Sequence, residues 1–94
     1  MSKYELMTMA HGSKGEDTAK KISLEIQKII TSLGGSLVDS NFWGKRKLSY
    51  KIKQETEGYY DVMVFEMDSA KIAEFKSKLN LIEALVRYLI TAKS

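Results

Sequence analysis

Trp43-Gly44-Lys45-Arg46-Lys47-Leu48-Ser49-Tyr50-Lys51-Ile52-Lys53 is the stretch from which the fold of this chain is read. Leu48, Tyr50 and Ile52 share one parity, while Lys47, Ser49, Lys51 and Lys53 share the other. A period of two predicts a strand with one apolar and one cationic face. The strand reaches back to Ser36 and is expected to bend or bulge near Gly44, because glycine inside a strand often marks a break in the ladder. Gln54-Glu55-Thr56-Glu57-Gly58 is polar and closes with glycine, which predicts a hairpin loop of about five residues. A third strand follows from Tyr59 to Met67, where Asp61, Met63 and Phe65 alternate against Tyr60, Val62 and Val64.

On the N-terminal side of this hairpin, Lys3 to Ala10 alternates loosely, with Tyr4, Leu6 and Thr8 on one face and Glu5, Met7 and Met9 on the other. Apolar side chains on both faces indicate a central strand. Ser13-Lys14-Gly15-Glu16 fits the S-x-x-E helix start, and Asp17 adds negative charge near the positive end of the helix dipole. Ala19, Ile22, Ile26, Ile29, Ile30 and Leu33 then recur at three- and four-residue steps, the stripe of a helix of roughly five turns. Lys20, Lys21, Glu25, Gln27 and Lys28 fall on its solvent side, with Leu24 off the stripe, and Gly34-Gly35 stops it. On the C-terminal side, Asp68-Ser69 starts a shorter helix with Ile72, Phe75 and Leu79 as its stripe, and Asn80 ends it. Glu83 to Thr91 predicts the last strand, and Ala92-Lys93-Ser94 is expected to fray.

Strand-helix-strand thus occurs twice, joined by a hairpin. That order predicts an α+β, ferredoxin-like split βαβ fold (βαββαβ): a four-stranded antiparallel sheet with two helices on one face. Residues 1–94 are read as a single ferredoxin-like domain, since 94 residues support one core. The uncovered face of the sheet is where function is to be sought.

Charge and composition narrow the function. The quoted stretch holds five basic residues and no acidic one; the chain has 15 Lys+Arg and 12 Asp+Glu, so everything outside the stretch sums to −2. The positive charge is therefore a local object, suited to a polyanion. Without cysteine there is no disulfide, thiolate metal site or thiol nucleophile. No apolar run approaches the ~20 residues that span a bilayer, and Met1-Ser2-Lys3-Tyr4-Glu5 has no signal-peptide shape, so a cytoplasmic protein without a membrane role is expected. His11 stands alone and reads as a turn histidine. Neither G-x-x-x-x-G-K-[ST] nor G-x-G-x-x-G occurs, leaving no cofactor and no small-molecule substrate to assign. The chain is read as not an enzyme.

Individual side chains carry competing readings. Tyr4, Tyr50, Phe65, Phe75 and Tyr88 sit at core parity. Tyr60 lies away from Phe65 and either stacks on an unpaired base or covers the end of the sheet. Trp43 is either a partner anchor or the cover of a bulge. Arg87 shares parity with Leu85 and Leu89, opposite Tyr88, and either pairs with Glu5 or Glu66 or reaches a phosphate, which its planar fork suits. For Lys45 to Lys53 the bland reading is an edge strand guarded by lysines, which explains lysine but not the gathering of the excess charge.

The same residues carry a family resemblance. Lys3-Tyr4-Glu5, Gly34-Gly35 after a long helix, Trp43 to Ile52, Glu57-Gly58-Tyr59-Tyr60 and Val86-Arg87-Tyr88-Leu89 resemble, in order and from Lys3 to about Thr91, the bacterial small-subunit ribosomal protein six (S-six) family. Its G-x-R-[RK]-L-x-Y-x-I core with the following Gly-Tyr pair is fairly specific. The resemblance implies a structural component of the small ribosomal subunit, binding small-subunit rRNA in the platform region together with ribosomal protein eighteen, in the cytoplasm, on a ferredoxin-like fold. It also implies that Lys3, Arg46, Lys47 and Arg87 take basic positions near rRNA, while Tyr4, Leu48, Tyr50 and Tyr59 match motif positions. Lys51 replaces a proline common in the motif, and the chain ends soon after its last strand, without the extended tail of many relatives.

With that implication, the candidate RNA-binding residues are Lys3, Lys45, Arg46, Lys47, Lys51, Lys53, Tyr60 and Arg87. Trp43, Val62, Val64, Leu85 and Leu89 are the candidate contacts to the protein partner, since an apolar open face around Arg87 suits one. Four or five phosphate contacts give log K a slope against log salt of roughly −3 to −4.5. Two readings from other classes remain beside it. A ligand-sensing ferredoxin-like regulatory domain would form homodimers through its sheet. A small phosphatase would need an anion loop after the first strand, for which Lys14 and Gly15 alone speak.

Overall fold

Alternation in the strands sorts their side chains to two sides of one sheet. The computed structural model describes residues 1–52 and 55–93, with the backbone alone at 49–52 and 55. Its elements are β1 (Ser2–His11), α1 (Glu16–Ser32), β2 (Ser36–Ile52), β3 (Glu55–Met67), α2 (Ile72–Leu79) and β4 (Leu85–Lys93), with short 3₁₀ turns at Gly12–Lys14 and Ser69–Lys71. The strand order is β2-β3-β1-β4 and each neighbouring pair is antiparallel. This is the expected ferredoxin-like βαββαβ arrangement. β1 is central, as its two apolar faces predict.

One side of the sheet makes the core. Leu6 of β1 and Met63, Phe65 and Met67 of β3 are buried against Ala19, Ile22, Ile26 and Ile30 of α1 and Phe75 and Leu79 of α2. Phe65 is its hub: the ring stacks on Tyr4 at 5.5 Å between centroids and meets the edge of Phe75 at 5.2 Å. Such aromatic pairs add about 0.5–1.5 kcal/mol beyond area burial. Leu24, off the stripe of α1, is exposed as expected.

Helix ends follow local chemistry. At the C-terminus of α1 the Gly35 N–H donates to the Ile30 carbonyl and the Gly34 N–H to that of Thr31, with Gly34 at φ 80°. That pair of bonds is the Schellman motif, which needs a left-handed residue. Gly35 is required for a second reason: a Cβ there would lie 2.6 Å from the Glu66 carbonyl oxygen of β3. The start of α1 differs from the S-x-x-E expectation. Gly15, at φ 86°, is the N-cap and no side chain caps the helix, because Gly12–Lys14 form their own 3₁₀ turn and place Ser13 two residues too early. Asp68 accepts from the Ala70 N–H at 3.0 Å and opens the second helical segment as predicted.

Three other boundaries move. β3 begins at Glu55, not Tyr59, since Lys45, Arg46 and Lys47 pair with Tyr59, Gly58 and Glu57 and hold the expected loop in the ladder. Gln54 lies outside the described residues. β4 starts two residues later than expected and includes Ala92 and Lys93, which pair with Tyr4 and Lys3 instead of fraying. The N–H of His11 donates to Ala84 at 3.0 Å, fixing the turn before β4.

One bulge leaves Val38 extra between Leu37 and Asp39, and two more reset the alternation toward the other end of the sheet. In β2, Phe42 opposes Asp61 and Gly44 opposes Tyr60, leaving Trp43 as the extra residue. Gly44 has φ 84° there, as the expected glycine break requires. In β4, Arg87 opposes Met9 while Leu85 opposes Ala10, leaving Val86 extra. Leu85 and Val86 are consequently both buried, and the expected shared parity of Leu85 with Arg87 fails.

Asp61 is the core's one costly residue in the described structure: its side chain faces α1 and both carboxylate oxygens are buried without a hydrogen bond of ordinary geometry. Burial raises its pKa, and the nearby Ser23 hydroxyl and Val62 amide offset only part of that. The folded-state pKa lies above the unfolded one, so ionised Asp61 disfavours folding at neutral pH, and the cost fades as pH falls through the raised value. Asp61→Asn is expected to stabilise the protein at pH 7 by about 1–2 kcal/mol. That gain should shrink in urea titrations as pH approaches the ordinary value of 3.8. Gly35→Ala is expected to cost about 1 kcal/mol or more, seen as a lower melting temperature, whereas Leu24→Ala on the exposed side of α1 should leave it nearly unchanged.

Candidate nucleic-acid interface

Directly opposed residues in antiparallel strands project to the same side, so the register lays out the open face row by row. Lys3, Glu66, Lys93 and Ser36 form the first row. Glu5, Val64, Thr91 and Asp39 form the second, and Met7, Val62, Leu89 and Asn41 the third. Met9, Tyr60, Arg87 and Gly44 make the fourth, followed by His11, Gly58 and Arg46. The face is thus polar and partly acidic at one end, apolar in the middle, and aromatic and cationic at the other.

The candidate residues separate accordingly. Tyr60, Arg87 and Arg46 meet at the cationic end. Lys3 does not join them; six residues of strand put it about 20 Å away. Its neighbour Lys93 is held by Glu5 at 3.5 Å, so Glu5 is not the partner of Arg87. Arg87 is exposed, and among the described residues no carboxylate pairs with it.

Lys45 and Lys47 oppose Tyr59 and Glu57 and so lie on the helix side of the hairpin, whereas Arg46 opposes Gly58 on the open side. Alternation alone separates Arg46 from the two lysines, and the bulge at Trp43 decides that Arg46 takes the open side. Among the described residues the basic stretch is therefore two-sided, as its own alternation requires: Lys45 and Lys47 share one parity and Arg46 has the other. Lys45 approaches Glu57 at 3.9 Å, both well exposed, a contact worth little in water. Behind it, Phe42 stacks on Tyr59 at 6.2 Å and carries Lys20 over its ring at 5.9 Å. Lys53 and the side chains of Lys51, Tyr50 and Ile52 lie outside the described residues.

Of the partner candidates, Val62 and Val64 lie half-buried and Leu89 is exposed on the open face, and Trp43 is 44% exposed beside its bulge. Leu85 is not available: at 8% exposure it belongs to the core, turned inward by the bulge at Val86. His11, read as an exposed turn residue, is half-buried at the end of β1, in the row of Arg46. Met7 and Met9 also belong to the open face, as their parity with Glu5 predicts. Among the described residues no group of three or more acidic, histidine or cysteine side chains is placed to hold a metal ion, and no helix is long and apolar enough to cross a membrane.

Known proteins resemble this chain over nearly its whole length. The family model described as Ribosomal protein S6 matches residues 3–92. Small ribosomal subunit protein bS6 of Dictyoglomus turgidum is 42% identical over 91 residues, 97% of this chain and 94% of that protein. Its namesake in Fusobacterium nucleatum is 34% identical over 90 residues, 96% of each chain. The crystal structure of 30S ribosomal protein S6 from Thermotoga maritima matches with a TM-score of 0.92 at 24% identity, over 98% of this chain and 87% of that one, and corroborates the fold.

Proposed function

The chain belongs to the ribosomal protein S6 family, and on that premise we propose that it is a structural component of the small ribosomal subunit, binding small-subunit rRNA together with ribosomal protein eighteen in the cytoplasmic ribosome. The relatives are named as ribosomal proteins, and this chain is not an enzyme. A ligand-sensing homodimer has no support among them. Residues 1–94 act as one ferredoxin-like domain in this reading.

The observation that carries rRNA binding is the convergence of Arg46, Arg87 and Tyr60 at one end of the open face, with Lys45 and Lys47 on the adjoining arm. Arginine and lysine neutralise phosphates and release counterions, which supplies affinity without reading sequence. The A-form major groove is too narrow for side chains, so shape and unpaired segments set the position on RNA. Lys51 and Lys53 extend the same charge along the sequence, and Lys3 offers a separate contact at the far end of the sheet. The apolar third row, with Val62 and Leu89 beside Val64, and the exposed Trp43 serve the protein partner, because such a surface gains by being covered.

Arg46→Ala combined with Lys47→Ala is expected to weaken the complex with small-subunit rRNA and ribosomal protein eighteen. The double substitution should also flatten the dependence of log K on log salt by roughly 1.4–1.8, the share of two phosphate contacts. Filter-binding titrations at several salt concentrations measure both. An unchanged affinity and slope would remove the arm from the interface.

A further inference from the structure

The cationic end of the open face is hollowed. A depression of about 150 Å³ has Met7, Met9, Tyr60, Arg87 and Leu89 around it. Its shape follows from the register: Met9 stands between Tyr60 and Arg87 in one row, and Met7 beside Leu89 in the next. Met9 lies low, only 1% exposed, because Gly58 makes room for it; a Cβ on Gly58 would come within 2.6 Å of Met9 Cγ. Tyr60 and Arg87 therefore rise on either side of a sunken methionine, two strand spacings or about 10 Å apart at the backbone. Soft thioethers below, an aromatic ring on one side and a guanidinium on the other form a slot for a flat, polarisable ring.

Charge decides between possible occupants. An apolar protein segment covering the slot would strip water from Arg87, which has no carboxylate partner among the described residues, and burying an unpaired charge is costly. Glu5, the nearest acid along β1 on this face, lies two rows away and is held by Lys93. A nucleotide brings both complements at once, a planar base and a phosphate. A duplex cannot use the slot, since its bases are stacked and paired.

We infer that this depression receives one unpaired nucleobase of an RNA strand, stacked against Tyr60 over the two methionines, with Arg87 on the adjacent phosphate. The inference rests on the rRNA-binding reading above and adds to it the kind of nucleotide that the face recognises. Base–aromatic stacking tolerates any base, so the slot selects for an unpaired nucleotide more than for its identity.

The test compares wild type, Tyr60→Phe, Tyr60→Leu and Arg87→Gln in binding to small-subunit rRNA with ribosomal protein eighteen, at several salt concentrations. Circular-dichroism melts check that each variant is folded. Tyr60→Leu, which keeps bulk but removes the ring, should weaken rRNA binding roughly five- to a hundredfold and leave the salt slope unchanged. Tyr60→Phe should bind as wild type. Arg87→Gln should weaken binding and flatten the slope by roughly 0.7–0.9. A folded Tyr60→Leu protein that binds rRNA as wild type overturns the slot. So does a loss confined to association with ribosomal protein eighteen measured without RNA, which would make the occupant a protein side chain. Failure of the wild-type protein to bind rRNA at all would instead overturn the function proposed above.

Discussion

The contact on which the rest of this structure depends is Phe65 against Tyr4 and Phe75. It ties β3 to the central strand and to the second helix in one place. Because a strand alternates its side chains, seating Phe65 inward also seats Met63 and Met67 inward and sends Val64, Val62 and Tyr60 to the other side. A slip of one residue would exchange the two sets, burying Glu66 and exposing Phe65. The core therefore does more than stabilise: it decides which residues are offered to a partner.

Bulges then adjust that offer locally. The extra residue at Trp43 moves Lys45 and Lys47 to the helix side and brings Arg46 to the open side. The extra residue at Val86 turns Leu85 into the core while Arg87 stays outward. Both act near the same end of the sheet, so the chemistry of that end is set by two irregularities and not by the regular ladder. Gly44 carries one of them at φ 84°, while Asp61, buried beneath α1, is an opposing cost that the packing around Phe65 and the helix stripes must offset.

Legibility in the sequence followed the same division. Period-two and three-to-four-residue spacings gave β1, the long β2, the stripe of α1 and the order of elements, because each depends on side chains burying one face of a local element. The break at Gly44 was legible because glycine advertises it. The break at Val86 carried no such signal; it exists because β4 must satisfy β1 and the turn bonded to His11 together. The hairpin loop is shorter than expected for a related reason: polar Glu55 and Glu57 look like loop residues, yet pairing with Ile52 and Lys47 holds them in the strand. Parity within the basic stretch was correct as far as it went, but parity alone does not say which side of a sheet a residue reaches once a bulge intervenes.

The pairing of β1 with β4 brings Lys3 opposite Lys93, so residues separated by nearly the whole chain are neighbours in the finished sheet. The β2–β3 ladder, by contrast, joins segments adjacent in the chain, with Ile52 opposite Glu55. Emerging from synthesis, the first strand has no neighbour on either side until later strands arrive, and its β4 flank is completed last. Nucleation is thus shared unequally between a cheap local hairpin and a distant closure whose entropy must be met before it returns any contact. A chain built this way keeps one flank of its central strand unpaired until the fourth strand docks.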